Sequence, residues 1–420
     1  MKKNLIISLI LFSSIISFGQ DITGEWNGLL KVQGVQLRLV FHISKTVAGY
    51  SATMDSPDQG ASGIPMSKAT FENSVLTVEL AAAQIEYTGK PDNSGGIVGT
   101  FKQAGQSFPM NLSRLPIDKG ISASDVKDTS FIEKEIVLQT SSGQIFGTLT
   151  TPKKFSKIPV ALFIAGSGPT DRDCNQAMMQ CNAFKKLAYG LAENNIASLR
   201  YDKRGVAKSI AAAKSESDLR FEDYINDAKE WIELLRQDQR FSKVIVIGHS
   251  EGSLIGMIAA AKADKFVSIA GPGQSIDKAL KDQLSTQSKE IQELTFPIID
   301  SLTKGETVDI VDPKLNSLFR PSVQPYLISS FRYDPQIEIQ KLAIPILIVQ
   351  GTNDIQVSVE NANRLSKANP KAQLVLVDKM NHIFRAVEGD RQANLETYNN
   401  FNLPLADGLV KEISNFVLKN

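Results

Sequence analysis

The ten residues KVIVIGHSEG, from Lys243 to Gly252, decide the fold class that this sequence predicts. The run KVIVI is typical of a strand buried on both faces of a sheet, and the following SLIGMIAAAKA is typical of a helix. A G-x-S-x-G pentapeptide alone is a weak signal, because glycine and serine are common residues. Between a strand and a helix, however, it predicts a sharp turn in which Gly248 and Gly252 avoid clashes and Ser250 is presented at the sheet edge.

Strands and helices alternate on both sides of this turn. Residues 133–153 predict an antiparallel hairpin, and helical patterns follow at 182–194 and 217–237. This alternation predicts a doubly wound, mostly parallel α/β sheet over residues 131–420. The predicted buried strands lie at 158–166, 196–202, 243–250, 265–271, 344–351 and 372–378.

The alternation is interrupted at residues 271–340, where helical patterns stand between two consecutive strands. The longest of these patterns covers residues 275–302. An insertion at this point would cover the C-terminal edge of the sheet, where open α/β folds bind ligands. We therefore expect a helical cap over the site, and a peripheral insertion that contacts no substrate is the alternative.

The N-terminal part, residues 21–115, predicts a small all-β domain, and a polar linker follows at 116–130. Short strand-like runs separated by Gly-rich turns indicate a barrel or a curled sheet. Trp26 is expected to fill the core rather than to stack on a ligand, and His42 is expected to be structural. The predicted strands are Gly28–Val32, Gln36–Ser44, Ser74–Leu80, Gln84–Thr88 and Gly96–Phe101.

The first twenty residues predict an export signal. Lys2 and Lys3 precede the apolar run Leu5–Phe18, and Ser17 and Gly19 are small enough for a cleavage site. A buried N-terminal helix is the alternative. No other stretch approaches the roughly 20 apolar residues that a membrane span needs. The mature protein is thus expected in the periplasm or outside the cell, without an integral membrane segment.

Cys174 and Cys181 are the two cysteines of the chain. An even pair in an exported protein favours a disulfide. On an unbroken helix, however, their Cα atoms would be about 10 Å apart, too far for a bridge. The disulfide therefore requires that Cys174 lies in the loop before the helix. A zinc site is not expected, because two cysteines without nearby histidines cannot supply four ligands.

The overall charge is nearly balanced, with 46 basic and 45 acidic residues. The chain therefore has no global field that would attract nucleic acid, and no nucleic-acid partner is expected. The hydrophobic content of 42% is ordinary for a globular protein. These numbers leave homo-oligomer formation open.

A serine nucleophile needs a base, and the chain has three histidines. His42 lies in the other domain and His249 is fixed beside Ser250, so His382 is the predicted base. Asp354, which follows a strand and a Gly turn, is the predicted acid that orients His382. The chain order Ser, Asp, His is one that this arrangement uses. Asp378 and Asp334 are the fallback acids.

Two backbone N–H groups are predicted to bind the oxyanion that forms during acyl transfer. Glu251 follows the nucleophile at a helix N-terminus, where the helix dipole favours negative charge. Ser167, in the Gly-Ser-Gly loop after an earlier strand, supplies the second N–H. Arg204 and Asp202 are expected to pair with each other and to brace the loops, with direct substrate binding by Arg204 as the alternative.

With GHSEG and these partners, residues 131–420 resemble the α/β-hydrolase superfamily. Within it they are similar to bacterial carboxylesterases and serine-aminopeptidase-like hydrolases that carry G-H-S-x-G and a cap. The resemblance implies hydrolysis of short-chain acyl esters through an acyl-serine intermediate, without metal or cofactor. The β domain ahead of the hydrolase is similar to that of a group of exported bacterial esterases.

The sequence departs from these relatives in its first oxyanion loop. Many relatives have His-Gly where this chain has Ala165-Gly166, a change that keeps the backbone donor. Proline-iminopeptidase relatives often have a tryptophan after the nucleophile, where this chain has Glu251, and this weakens the peptidase interpretation.

Esterase is therefore the leading interpretation, with a small-molecule ester as substrate. A peptidase or amidase is the nearest rival, because the same three residues serve both reactions. An acyltransferase would need a site that excludes water. A different class is a binding protein whose β domain holds a glycan or lipid and sets targeting.

Overall fold

A computed structural model describes residues 21–32, 35–47, 49–59, 61–92, 95–103, 106–115, 130–176 and 179–419. The chain divides into two compact units, Met1–Ile121 and Ser122–Asn420. This division falls within the segment that the sequence predicts as a linker. The predicted export signal and residues 116–129 of the linker lie outside the described residues, so export stays a prediction.

The N-terminal unit contains one antiparallel sheet of ten strands. In spatial order the main path is β4-β3-β2-β1-β10-β8-β7-β6-β5, and β9 pairs with β8. The strands are β1 Gly24–Val32, β2 Val35–Thr46, β3 Gly49–Ser56, β4 Ala61–Pro65, β5 Lys68–Glu72, β6 Val75–Leu80, β7 Ile85–Pro91, β8 Ile97–Gln103, β9 Gln106–Pro109 and β10 Leu112–Ser113.

This sheet curls around an apolar core, as the sequence predicts. The Met66 N–H, directly after β4, donates to the Ala52 carbonyl of β3 at 3.0 Å, which continues the pairing of β4 with β3. Trp26 is buried in the core, and its indole N–H donates to the Ile22 carbonyl at 2.8 Å. The expectation that Trp26 is a core residue is confirmed. His42 is paired with Asp55 at 2.9 Å, which agrees with a structural role.

The second unit contains an eight-stranded, mostly parallel sheet in which β12 alone runs opposite to its neighbours. The order is β11-β12-β14-β13-β15-β16-β17-β18, which places the strand before Ser250 near the middle. The predicted α/β sheet is therefore confirmed. The strands are β11 Phe131–Thr140, β12 Gly143–Pro152, β13 Ile158–Ile164, β14 Ala197–Tyr201, β15 Phe241–His249, β16 Lys265–Ile269, β17 Ile346–Gly351 and β18 Gln373–Val377.

Helices pack on both faces of this sheet and form two separate apolar cores. Trp231 and Leu254 lie in one core, and Phe184 and Ile413 lie in the other. The helices are α1 Ala183–Glu193, α2 Phe221–Gln237, α3 Glu251–Ala259, α4 Ile276–Leu284, α5 Lys289–Thr303, α6 Asn316–Phe319, α7 Gln324–Ser330, α8 Pro335–Gln340, α9 Val359–Ala368, α10 Arg391–Glu396 and α11 Leu409–Leu418. Within the described ranges, no helix is long and apolar enough to cross a membrane.

The predicted insertion contains α4 to α8 and has a small apolar core of its own. The pattern at 275–302 forms two helices rather than one: α4 ends at Leu284, and Ser288 caps the start of α5 by accepting from the Ile291 N–H. The insertion docks on the start of α2, where the Ser329 hydroxyl oxygen accepts from the Phe221 N–H at 2.8 Å. It therefore lies at the carboxyl edge of the sheet. That it covers Ser250 stays a prediction.

Candidate active site

Ser250 lies in a sharp turn between β15 and α3, and its backbone has φ 54° and ψ −127°. This conformation is strained for a residue with a side chain. A Cβ on Gly248 would lie 2.3 Å from the Gly252 carbonyl oxygen, and one on Gly252 would lie 2.2 Å from the Ile164 carbonyl oxygen. Both positions therefore require glycine, and the turn has the geometry that the pentapeptide predicts.

Asp354 and His382 are brought together by the loops after β17 and β18. His382 Nδ1 and Asp354 Oδ2 form a buried hydrogen bond of 2.8 Å. The other carboxylate oxygen accepts from the N–H groups of Gln356 at 2.8 Å and Val357 at 2.9 Å. Burial alone would raise the pKa of Asp354, but His382 and these hydrogen bonds hold that pKa below its usual value. An ionised carboxylate only accepts, so Nδ1 carries the hydrogen and Nε2 is the basic nitrogen.

The loop that carries His382 passes directly over the glycine turn before Asp354. A Cβ on Gly351 would lie 2.0 Å from the Met380 carbonyl oxygen, which instead accepts the Asn353 N–H at 3.0 Å. Asn381 then fixes the shape of the loop, because its side-chain oxygen accepts from the Arg385 N–H at 2.9 Å. The Gly turn was visible in the sequence, whereas the role of Asn381 was not predicted.

His249 connects this loop to the serine turn. Its Nε2 lies 2.9 Å from the His382 carbonyl oxygen, and the two rings are 4.6 Å apart between centroids. Burial lowers the pKa of His249 to about 3, so the ring is neutral. Because a carbonyl only accepts, Nε2 must be the protonated nitrogen. The sequence placed His249 beside Ser250 but did not show that it anchors His382.

Ser250 is linked to this pair through its neighbour in the chain, His249. Among the described residues, no hydrogen bond of 3.5 Å or less joins the Ser250 hydroxyl to His382. Serine–imidazole hydrogen bonds in free enzymes are often long and shorten when substrate binds. Asp354 is thus hydrogen-bonded directly to His382. Ser250 is connected to the His382 loop through His249, which precedes it in the chain and is hydrogen-bonded to the His382 carbonyl.

The loop after β13 passes beside Ser250. A Cβ on Gly166 would lie 3.0 Å from the Ser250 Cβ and 3.5 Å from its Oγ. Ser167 is the next residue, and Glu251 is the first residue of α3, where helical N–H groups have no partner in the helix. Both N–H groups predicted for the oxyanion therefore belong to backbone that borders the serine.

The predicted pair between Arg204 and Asp202 is wrong. Arg204 binds Asp227 of α2 through two nitrogens, with Nε at 3.1 Å. Asp202 instead pairs with Arg172, at 2.6 Å from Nη2. The two side chains diverge because Arg204 lies against α2 and Asp202 faces the loop after β13. Each pair still braces a loop near the site.

The predicted disulfide is also contradicted. Cys174 and Cys181 both precede α1, as a disulfide would require, yet both are free and buried. The Cys181 thiol donates to the Cys174 carbonyl oxygen at 3.0 Å, so its sulfur is directed at the backbone.

The fallback acids have other roles. Asp378 is exposed and accepts a hydrogen bond from the Thr352 hydroxyl at 3.4 Å. Asp334 caps α8 by accepting from the Gln336 N–H at 2.9 Å. Neither is bonded to His382 in the described part of the chain, which leaves Asp354 as its carboxylate partner.

The chain is similar to known hydrolases. A sequence model of the family described as "Serine aminopeptidase, S33" matches residues 176–299, which include the serine turn. The chain is 28% identical over 379 residues to Esterase EstD of Thermotoga maritima, and the match covers 88% of this chain and 81% of that protein. The unit Ser122–Asn420 has fewer residues than this match covers. The match therefore extends into the β unit.

Two solved structures are also similar to this chain. Est1E from Butyrivibrio proteoclasticus, with bound ferulic acid, has a TM-score of 0.44 and 16% identity, covering 67% of this chain and 96% of that one. The esterase domain of a Rhodothermus marinus protein has a TM-score of 0.38 and 17% identity, covering 60% and 90%. The sheet topology and the serine turn show the α/β-hydrolase fold, and the family match and the esterase relative indicate a hydrolase of the carboxylesterase type.

Proposed function

We propose that the protein hydrolyses carboxylic esters with short acyl chains through an acyl-Ser250 intermediate. The observation that carries this proposal is the buried 2.8 Å hydrogen bond between Asp354 and His382, held beside the strained serine turn. The similarity to an esterase supports ester bonds as the target. The preference for short chains rests on the resemblance to bacterial carboxylesterases.

In the first half of the proposed reaction, Ser250 Oγ attacks the ester carbonyl carbon. His382 Nε2 takes the hydroxyl proton, and Asp354 stabilises the imidazolium that forms. The carbonyl oxygen becomes an oxyanion between the N–H groups of Ser167 and Glu251. The tetrahedral intermediate then collapses, the C–O bond to the alcohol breaks, and His382 returns the proton to the leaving alcohol.

In the second half, water attacks the acyl carbon of the acyl-serine. His382 removes a proton from this water, and the same two N–H groups receive the second oxyanion. Collapse of this intermediate breaks the bond to Ser250 Oγ, which regains its proton from His382. The products are a carboxylic acid and an alcohol, and the enzyme returns to its starting state.

A serine aminopeptidase is the second candidate, because the matched family carries that description. An aminopeptidase must bind the charged amino terminus of its substrate, and a free carboxylate near the nucleophile would suit that purpose. Glu251 adjoins Ser250, but its carboxylate is buried and lies 3.5 Å from the Lys203 ammonium. Because this carboxylate already faces a cation within the protein, the site favours the ester.

The test is a matched substrate panel: p-nitrophenyl esters from acetyl to decanoyl, beside aminoacyl and prolyl p-nitroanilides. We expect ester turnover that falls as the acyl chain lengthens, with little cleavage of the anilides. Replacing Ser250 by alanine should lower kcat by about a millionfold, as removal of such a nucleophile does elsewhere.

Ser253→Ala is a matched control. Ser253 lies in the same helix, and its hydroxyl is bonded to that of Ser268 at 2.7 Å, so this variant should keep most of the activity. Retained turnover in Ser250→Ala would contradict the proposed nucleophile. Dominant cleavage of anilides would make the protein a peptidase.

A further inference from the structure

Lys203 is a buried lysine that the mechanism above does not use. It lies two residues beyond β14, and its Nζ donates to the Gly166 carbonyl oxygen at 2.9 Å. The same Nζ lies 3.5 Å from Glu251 Oε2, and the two side chains are 5% and 8% exposed. Lysine is almost never buried unless it is paired, because removing its charge from water is costly. One ammonium group therefore contacts the two segments that flank Ser250.

The contact with Gly166 determines the direction of the Ser167 N–H. The Gly166 carbonyl and the Ser167 N–H belong to one peptide group, and the described chain contains no cis peptide bond. In a planar trans peptide these two groups point in opposite directions. The next carbonyl, that of Ser167, is held by Gln176 Nε2 at 2.8 Å and Thr170 Oγ1 at 3.1 Å. The peptide that donates to the oxyanion is thus held from both ends.

The contact of Lys203 with Glu251 involves the residue that supplies the second N–H donor of the oxyanion hole. Glu251 contributes its own backbone N–H at the start of α3, directly after Ser250. Its carboxylate is attracted to Lys203, whose ammonium also holds Gly166. A single cation therefore lies between the peptide that carries the Ser167 N–H and the side chain of Glu251.

Aromatic rings enclose this ion pair. The Tyr224 ring of α2 lies 4.5 Å from Lys203 Nζ, and the Tyr326 ring of the insertion lies 5.7 Å from that of Tyr224. Burial lowers the pKa of Lys203, and the charge of Glu251 opposes that effect. With water kept away, the contacts of Lys203 are stronger than they would be at the surface.

We propose that Lys203 is a positioning residue that orients both N–H donors of the oxyanion hole, through Gly166 and Glu251. This inference rests on the proposed function, since it assumes that an oxyanion forms beside Ser250. Lys203 acts mainly in the transition state, when the carbonyl oxygen becomes charged. Its loss should therefore reduce kcat and leave KM nearly unchanged.

The test compares Lys203→Met with wild type in the full chain. We measure kcat and KM on p-nitrophenyl acetate, and the rate at which an alkyl fluorophosphonate labels Ser250. In that reaction the Ser250 oxygen displaces fluoride, and the phosphonyl oxygen takes the place of the oxyanion. We expect kcat and the labelling rate to fall by about 10- to 100-fold, less than for complete loss of a donor, with KM within about twofold.

Two further variants separate positioning from stability. Lys203→Met leaves Glu251 buried without its cation, which destabilises the fold. Lys203→Met combined with Glu251→Gln removes both charges and keeps the backbone N–H of residue 251. The double variant should fold and still show the loss of kcat, because Gly166 has lost its donor. Lys208→Met is the matched control, because Lys208 is exposed and pairs with Glu135 at 2.6 Å. It should behave as wild type.

The proposal is overturned if folded Lys203→Met or the double variant keeps kcat and labelling within twofold of wild type. It is also overturned if KM alone changes. A wild-type protein that is labelled at Ser250 but does not hydrolyse esters would refute the ester assignment alone. Slower labelling of the Lys203 variants would then still support the positioning role.

Discussion

Two surface ion pairs of the β unit contrast with three buried ion pairs of the hydrolase unit. In the β unit, the pairs Lys102–Glu86 and Lys68–Glu79 link neighbouring strands, and their side chains are between 31% and 52% exposed. In the hydrolase unit, the pairs His382–Asp354, Lys203–Glu251 and Arg204–Asp227 are at most 10% exposed. The buried pairs lie in loops that follow strands at the carboxyl edge of the sheet or pack against those loops.

This difference shows where the protein buries ion pairs, although burying charges costs free energy. Burying an ion pair often costs more than the attraction between its charges returns, whereas an exposed pair costs and contributes little. Buried pairs grouped at one edge of a sheet therefore point to a site where orientation matters. The surface pairs of the β unit need no such explanation. The following predictions test this contrast, beginning with the largest effect.

Asp354→Asn should produce the largest loss among these variants. The amide cannot hold His382 in the required tautomer or stabilise the imidazolium, and comparable changes lower kcat by about 10⁴-fold. The measurement is steady-state hydrolysis of p-nitrophenyl acetate. Asp378→Asn is the control and should retain wild-type kcat, because Asp378 is exposed and is not bonded to His382. Equal kcat for the two variants would remove Asp354 from the mechanism.

Asp227→Ala should mainly reduce stability. It leaves the Arg204 guanidinium, which is 10% exposed, without its carboxylate. Breaking a buried pair in this way costs about 3–5 kcal/mol of unfolding free energy. Urea denaturation followed by circular dichroism gives this value. A loss below about 1 kcal/mol would mean that burial does not distinguish this pair from those of the β unit.

Asp171→Asn should change how stability depends on pH. Burial and the nearby charge of Asp173 raise the pKa of Asp171 from 3.8 to about 6 in the folded protein. Between about pH 4 and 6 the folded protein holds a proton that the unfolded chain has lost. The contribution of this group to the unfolding free energy is therefore greatest below about pH 4 and falls as the pH rises through 6.

In Asp171→Asn this fall should disappear, a difference on the order of 2 kcal/mol between pH 4 and 7. Urea denaturation of both proteins at several pH values measures it. Parallel curves for the variant and the wild type across this range would contradict the raised pKa.

Lys102→Ala should have the smallest effect. The Lys102–Glu86 pair is 50% and 39% exposed, and exposed pairs contribute about 0–1 kcal/mol. Unfolding free energy should change within that range, and kcat on p-nitrophenyl acetate should not change. A large loss of stability would show that exposure is a poor guide to the value of an ion pair in this protein.

The fold of the hydrolase unit and its principal residues could be predicted from local sequence. Apolar runs such as KVIVI identify buried strands, because a parallel strand covered on both faces has no polar side. The serine turn requires glycine at 248 and 252, so the residues that form it are contiguous in the sequence. Elimination among three histidines then sufficed to select His382, and a glycine turn selected Asp354.

The partners of the charged side chains could not be predicted in this way. Asp202 and Arg204 are close in sequence, yet they pair with Arg172 and Asp227, which are distant in the chain. The bond between Lys203 and Gly166 joins residues that follow different strands, as does that between His249 and His382.

The sequence alone therefore determined the class of fold, the serine turn and the order of the three principal residues. Each of these depends on local patterns that neighbouring residues enforce. The tertiary structure decided which buried charges meet, that both cysteines stay free, and how the segments flanking Ser250 are held. Those outcomes depend on how loops from separate strands converge at one sheet edge, and side chains there pair by distance in space rather than along the chain.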